Sequence, residues 1–113
     1  MTDAAQFRKI ALSLEGTTQA PHFDRTAFKI KRTYATLAPD GRSANFKFTP
    51  DEQELKRLVA PDAFSAIPNA WGRQGWTTGN LAKLTVEELR AALEMAWRHA
   101  VPAPKRSRRK TAG

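Results

Sequence analysis

Trp71-Gly72-Arg73-Gln74-Gly75-Trp76-Thr77-Thr78-Gly79-Asn80-Leu81 places two of the chain's three tryptophans five residues apart among three glycines. The stretch lies between two helical patterns, so its reading decides how helices and strands alternate. Glycine is costly to order, and several of them around bulky aromatics signal a tight bend or a close backbone approach. We read Gly72 to Gly75 as the bend and Trp76 to Leu81 as a strand. A tryptophan buries roughly 150–250 Å², which makes Trp76 the expected keystone between that strand and the helices on either side. Trp71 and Trp76 are read as packing residues rather than ligand contacts.

Working outward, Thr85-Val86-Glu87-Glu88 is a capping box, followed by Leu89, Ala92, Leu93, Ala96 and Ala100 at helical spacing, which predicts a helix from 86 to about 100. Trp97 falls at the edge of its apolar stripe, where partial burial is expected. Upstream, Thr49-Pro50-Asp51-Glu52 joins a capping threonine, a proline at the first helical position and a glutamate three residues after the cap. That helix continues through Leu55, Leu58 and Val59 and stops at Pro61. Residues 62–70 read as an ordered loop anchored by Phe64 and Ile67. At the other end, Phe7, Ile10, Ala11 and Leu14 predict a helix over residues 3–14, capped by Thr2 or Asp3 and ended by Gly16.

Between the first two helices the period changes to two. Phe28 and Ile30 alternate with Lys29 and Lys31, and Phe46 and Phe48 bracket Lys47, as in half-buried strands. Turns at Asp24-Arg25-Thr26, Arg32-Thr33 and Pro39-Asp40-Gly41 divide the region into four strands near 17–23, 27–31, 34–38 and 43–48. Pro21 has no amide to donate, so the first strand belongs at an edge or a bulge. The order predicts an α+β domain, an antiparallel β-sheet of about five strands with helices packed on one face.

The length of 113 residues suits one domain, expected over 1–101, with residues 102–113 a disordered basic tail. The formal charge is +8, but five of the 19 basic residues lie in that tail, at Lys105, Arg106, Arg108, Arg109 and Lys110. The rest of the chain carries 14 basic against 11 acidic residues. With no cysteine and only His22 and His99, disulfides and thiolate chemistry are excluded and a metal site is not expected. No apolar run has the length of a membrane span, and the first residues lack the basic and apolar regions of a signal peptide. A soluble, cytoplasmic protein without cofactor is expected.

The chain from about Phe7 to Ala100 resembles the MmcQ/YjbR family. The resemblance is carried by Leu14-Glu15-Gly16, by His22-Phe23 ahead of Ala27-Phe28-Lys29-Ile30, and by Tyr34-Ala35-Thr36-Leu37. It continues in Asn45-Phe46-Lys47-Phe48, Trp71-Gly72-Arg73-Gln74-Gly75-Trp76 and the ending Ala96-Trp97-Arg98. The Gly-Trp pair with its following Leu81 is the most specific of these. The resemblance implies a fold comparable to frataxin/CyaY and a DNA-binding role.

The residues themselves leave two readings open. If Phe28, Ile30, Phe46 and Phe48 face the helices, Lys29, Lys31 and Lys47 lie on the opposite side of the sheet. They either guard an open strand face against edge pairing or contact phosphates, with Arg25, Arg32 and Arg73 at the borders. Tyr34 is placed on the same outer face with Thr36, within reach of a base or sugar. His22 and Asp24 would share a strand face if the strand ran that far, but no partnered nucleophile accompanies them, and catalysis is not expected. Helix one lacks the clustered oxygen ligands that iron would need. The expected function is therefore non-enzymatic binding of nucleic acid, double-stranded DNA first. The alternative is a protein-interaction module of frataxin-like fold without metal or catalytic activity.

Overall fold

The computed structural model describes residues 2–101. Helix α1 spans Ala4–Ser13 and is capped by Asp3, whose carboxylate accepts from the Gln6 amide at 2.9 Å. Four strands follow, β1 (Thr18–His22), β2 (Arg25–Lys29), β3 (Thr33–Leu37) and β4 (Ser43–Lys47). After α2 (Pro50–Val59) come β5 (Phe64–Ala66), the short α3 (Ala70–Arg73), β6 (Trp76–Asn80), a 3-10 turn at Leu81–Lys83 and α4 (Val86–Ala100). Both predicted capping boxes form, with Thr49 and Glu52 opening α2 and Thr85 and Glu88 opening α4. Lys105, Arg106, Arg108, Arg109 and Lys110 lie outside the described residues.

The strands make one six-stranded antiparallel sheet in the order β1-β2-β3-β4-β6-β5, one strand more than the sequence predicts. The addition is β5, in the segment read as a loop. Its three residues are too few for a period to show, yet they pair with β6 and bury Phe64. Pro21 sits on β1, an edge strand, where its missing amide costs no ladder bond.

Alternation works as expected on one face. Phe28, Phe46, Phe48 and Phe64 turn inward with Ala35, Leu37 and Ala44 and meet Phe7 of α1 and the Leu89, Ala92, Leu93 and Ala96 stripe of α4. The Phe7 ring packs 5.2 Å from Phe28 and 6.0 Å from Phe46, centroid to centroid. These rings with their dispersion contacts form the core.

Helix α2 departs from its apolar spacing. Leu55, Leu58 and Val59 are exposed, and the one buried side chain of the helix is Gln53. Its amide donates to the carbonyls of Gly72, at 2.9 Å, and Trp76, at 3.0 Å, tying α2 to α3 and β6. The glycines of the opening stretch work as backbone spacers. A Cβ on Gly72 would overlap the Ile67 carbonyl, and one on Gly75 would overlap the Phe48 carbonyl, at a φ of +109° that already favours glycine.

Candidate functional site

The sheet face opposite α1 and α4 carries the chemistry. None of the six strands contains an Asp or Glu, whereas Arg25, Lys29 and Lys47 sit on them together with His22. The register fixes the direction of these side chains. Phe46 and Phe48 face the core, so Lys47 between them points outward, and its partner across the ladder is Trp76. Trp76 is therefore on the outer face, half-buried, and is not the keystone against the helices that the sequence led us to expect. The inward positions of β6 belong to Thr77 and Gly79.

Trp71, at the start of α3, is 58% exposed. The two tryptophans line one groove of about 440 Å³ together with His22, Arg25, Thr33, Thr36, Asn45, Ile67 and Asn69. Its walls thus come from β1 through β4, the β5–α3 connection, α3 and β6. Arg25 is held there by Thr36, with Nε donating to the hydroxyl at 2.8 Å and a terminal nitrogen to the carbonyl at 3.4 Å. Partial burial lowers the pKa of this guanidinium from the ordinary arginine value, opposed by the nearby Asp24 and Asp40 carboxylates.

A smaller depression of about 280 Å³ adjoins the groove, shares Thr33 and Trp76 with it, and is lined also by Arg32, Lys47 and His99. The Lys47 ammonium is not free, since it donates to the Gln74 carbonyl at 2.8 Å and to the Phe48 carbonyl at 3.3 Å. Lys29 pairs in register with Thr33. Lys31 and Arg32 are exposed in the β2–β3 bend rather than on a strand, and Arg73 is exposed at the end of α3 without lining the groove. The sheet thus gathers Arg25, Lys29 and Lys47, with Lys31 and Arg32 at its rim and Arg73 apart.

Two expectations about this face are corrected. Tyr34 is not an outer-face stacker but 1% exposed. The β2–β3 register slips between Phe28 and Lys29, so Thr33 takes the pairing position opposite Lys29. The phenol hydroxyl lies 2.8 Å from the Thr17 hydroxyl and donates to the Ala11 carbonyl at 3.4 Å, and burial pushes its pKa up. His22 and Asp24 share no strand face, because the β1–β2 turn falls on Phe23 and Asp24 rather than after Asp24. His22 packs edge-on against Phe23 instead, at 4.9 Å between centroids. Phe23 is 94% exposed at a φ of +57°, strained for a bulky residue.

Among the described residues no three His, Asp or Glu side chains cluster to hold a metal ion. Among them, too, no helix is long and apolar enough to cross a membrane.

Fold and site together define a class: α+β proteins in which an antiparallel sheet packs α1 and α4 on one face and leaves on the other a groove walled by Arg25 and two indoles, one of them on α3. The family model of YjbR matches residues 12–99, and the chain belongs to the YjbR family. It is similar in fold to the crystal structure of Deinococcus radiodurans protein DR2400, a DUF419 domain, with a TM-score of 0.72 at 20% identity over 85% of this chain and 76% of that one. It is also similar to a Pseudomonas syringae protein of known crystal structure, with a TM-score of 0.66 at 17% identity over 86% of this chain and 97% of that one. No curated protein matches the chain.

Proposed function

We propose that the protein is a small, non-enzymatic DNA-binding protein that holds the phosphate backbone on its outer sheet face. The observation that carries the reading is the sign of that face: cationic side chains on strands that bear no carboxylate, around a groove walled by two indoles. Acidic residues fall elsewhere, on α2, on α4 and in turns. Such segregation gives the focused positive field that phosphates need. The basic residues from Lys105 to Lys110 add a sequence-independent charge to the same partner. The protein's proposed location is the cytoplasm.

On the sheet face and its rim the cations without a protein partner among the described residues are Lys29, Lys31 and Arg32, because Lys47 and part of Arg25 are already engaged. Three phosphate contacts give a log-log salt slope of about −2.7 from these residues. Anisotropy titration of labelled duplex over a range of salt, on the full chain and on one cut before Lys105, measures it. A truncated protein with a slope near that value supports the sheet face. A slope near zero after truncation assigns all binding to the C-terminal charges and rejects the sheet face.

One observation favours the alternative of a frataxin-like interaction module. Leu55, Leu58 and Val59 form an exposed apolar run on α2, which is the kind of surface that partner proteins cover. A protein that binds no duplex at low salt would favour this second reading.

A further inference from the structure

We infer that the groove lined by Trp71 and Trp76 is a subsite for one unpaired, carbonyl-bearing nucleobase. The inference rests on the nucleic-acid reading and adds to it, since phosphate contacts need cations but no aromatic walls. The groove's volume of about 440 Å³ lies within the range of about 300–1,000 Å³ typical of small-ligand sites. Flat indole faces suit a planar ring, and every base has a face to stack.

The choice of base follows from the donors. The Asn69 carbonyl oxygen accepts from the Trp71 backbone amide at 2.9 Å. A backbone N–H can only donate, so the amino end of that carboxamide is the one left over. The Asn45 oxygen accepts from the Thr78 hydroxyl at 2.8 Å, leaving its amino end as well. Among the described residues neither amino group has a protein partner, nor does the indole N–H of Trp71 or Trp76, whereas that of Trp97 donates to Glu15. Arg25 adds guanidinium donors not used on Thr36. No carboxylate lines the groove.

A wall of donors around aromatic planes selects a flat ligand rich in acceptors. Thymine, uracil and guanine present carbonyl oxygens at the position where cytosine and adenine present an amino group. A base stacked and paired in a duplex cannot enter, so the occupant is single-stranded or extruded.

The test uses the full chain and three labelled DNAs of equal length at one salt concentration: a closed duplex, the same duplex with one looped-out thymine, and one with a looped-out cytosine. Base–aromatic stacking predicts that the thymine bulge binds about 5- to 150-fold tighter than the closed duplex. Cytosine should fall between them. Trp71→Ala, at an exposed position, should abolish the advantage of the bulge over the closed duplex. Asn69→Asp keeps an oxygen to cap α3 but replaces that amino donor with an acceptor, and should narrow the preference for thymine over cytosine.

A second readout is independent of these variants. In Trp97→Phe the remaining indoles both line the groove, and their fluorescence should be quenched by the thymine bulge and not by closed duplex. Equal binding of all three DNAs with an ordinary salt slope overturns the subsite and leaves the phosphate reading standing. An advantage that survives Trp71→Ala overturns the stacking. Absence of salt-dependent binding to any of the three overturns both.

Discussion

Replacing Gln53 by alanine should loosen the groove from behind without touching its surface. The Gln53 side chain is 8% exposed, and its amide nitrogen bridges the Gly72 and Trp76 carbonyls at 2.9 and 3.0 Å. Gly72 adjoins Trp71, so one side chain ties together the backbone beneath both indoles. Each hydrogen bond is worth about 0.5–1.5 kcal/mol net, so the pair contributes about 2 kcal/mol, and Gln53→Ala should lower the melting temperature by about 8–16 °C. Gln53→Glu sharpens the test. A carboxylate there would face two carbonyl oxygens with nothing to donate, which raises its folded pKa above the unfolded value. The variant's stability relative to the parent is then best below the unfolded pKa and is lost as pH rises through the folded one. Thermal melts of parent and both variants across a pH series are the assay. Expected is a Gln53→Ala deficit that stays level with pH and a Gln53→Glu deficit that grows with it. If both variants melt with the parent, α2 is not held to the groove through this side chain and the reasoning fails.

Other outcomes follow from the same geometry. Phe46→Ala removes a fully buried ring from the centre of the core and should cost about 3–5 kcal/mol; Trp71→Ala, at an exposed position, should change the melting temperature little, and the reverse order in thermal melts would contradict the assignment of faces. Reversing Lys29, Lys31 and Arg32 to glutamate should weaken duplex binding in anisotropy titrations far more than reversing the exposed Arg8, Lys9 and Arg90 on α1 and α4; equal losses would mean that only net charge matters. The pKa of Glu52 is lowered: burial, which would raise it, is outweighed by hydrogen bonds from Thr49 and by His99, whose ring nitrogen lies 2.7 Å from the carboxylate. Its contribution to stability is therefore present above the unfolded carboxylate value and lost as pH falls through the depressed one, and Glu52→Gln should flatten the acid limb of a circular-dichroism pH titration.

Much of the fold was legible because local rules agreed. The two capping boxes, the alternation at Phe46-Lys47-Phe48 and the proline on an edge strand each formed as read. The site was less legible, for physical reasons that differ by residue. The position of Trp76 was recoverable: Gly79 and Leu81 share a parity with Thr77, and counting back from a leucine bound for the core puts Trp76 outside. Its size suggested burial, and size won over parity. The bulge that buries Tyr34 leaves no mark in the sequence, since it is set by how β3 meets β2. The carboxamides of Asn45 and Asn69 were invisible for a similar reason, because only the ladder and the α3 cap decide which end of each is free. The α2 leucines kept a helical spacing, but α2 lies beside β5 with Gln53, not leucine, turned inward.

The most direct test of the outer-face claim is a map of amide chemical-shift changes when unlabelled duplex is titrated into isotope-labelled protein at low salt. Expected are the largest changes on Arg25, Lys29, Lys31 and Arg32 along the outer sheet face and its rim, with the exposed faces of α1 and α4 unmoved. Changes concentrated on α2 around Leu55, Leu58 and Val59, with the sheet face silent, would contradict it.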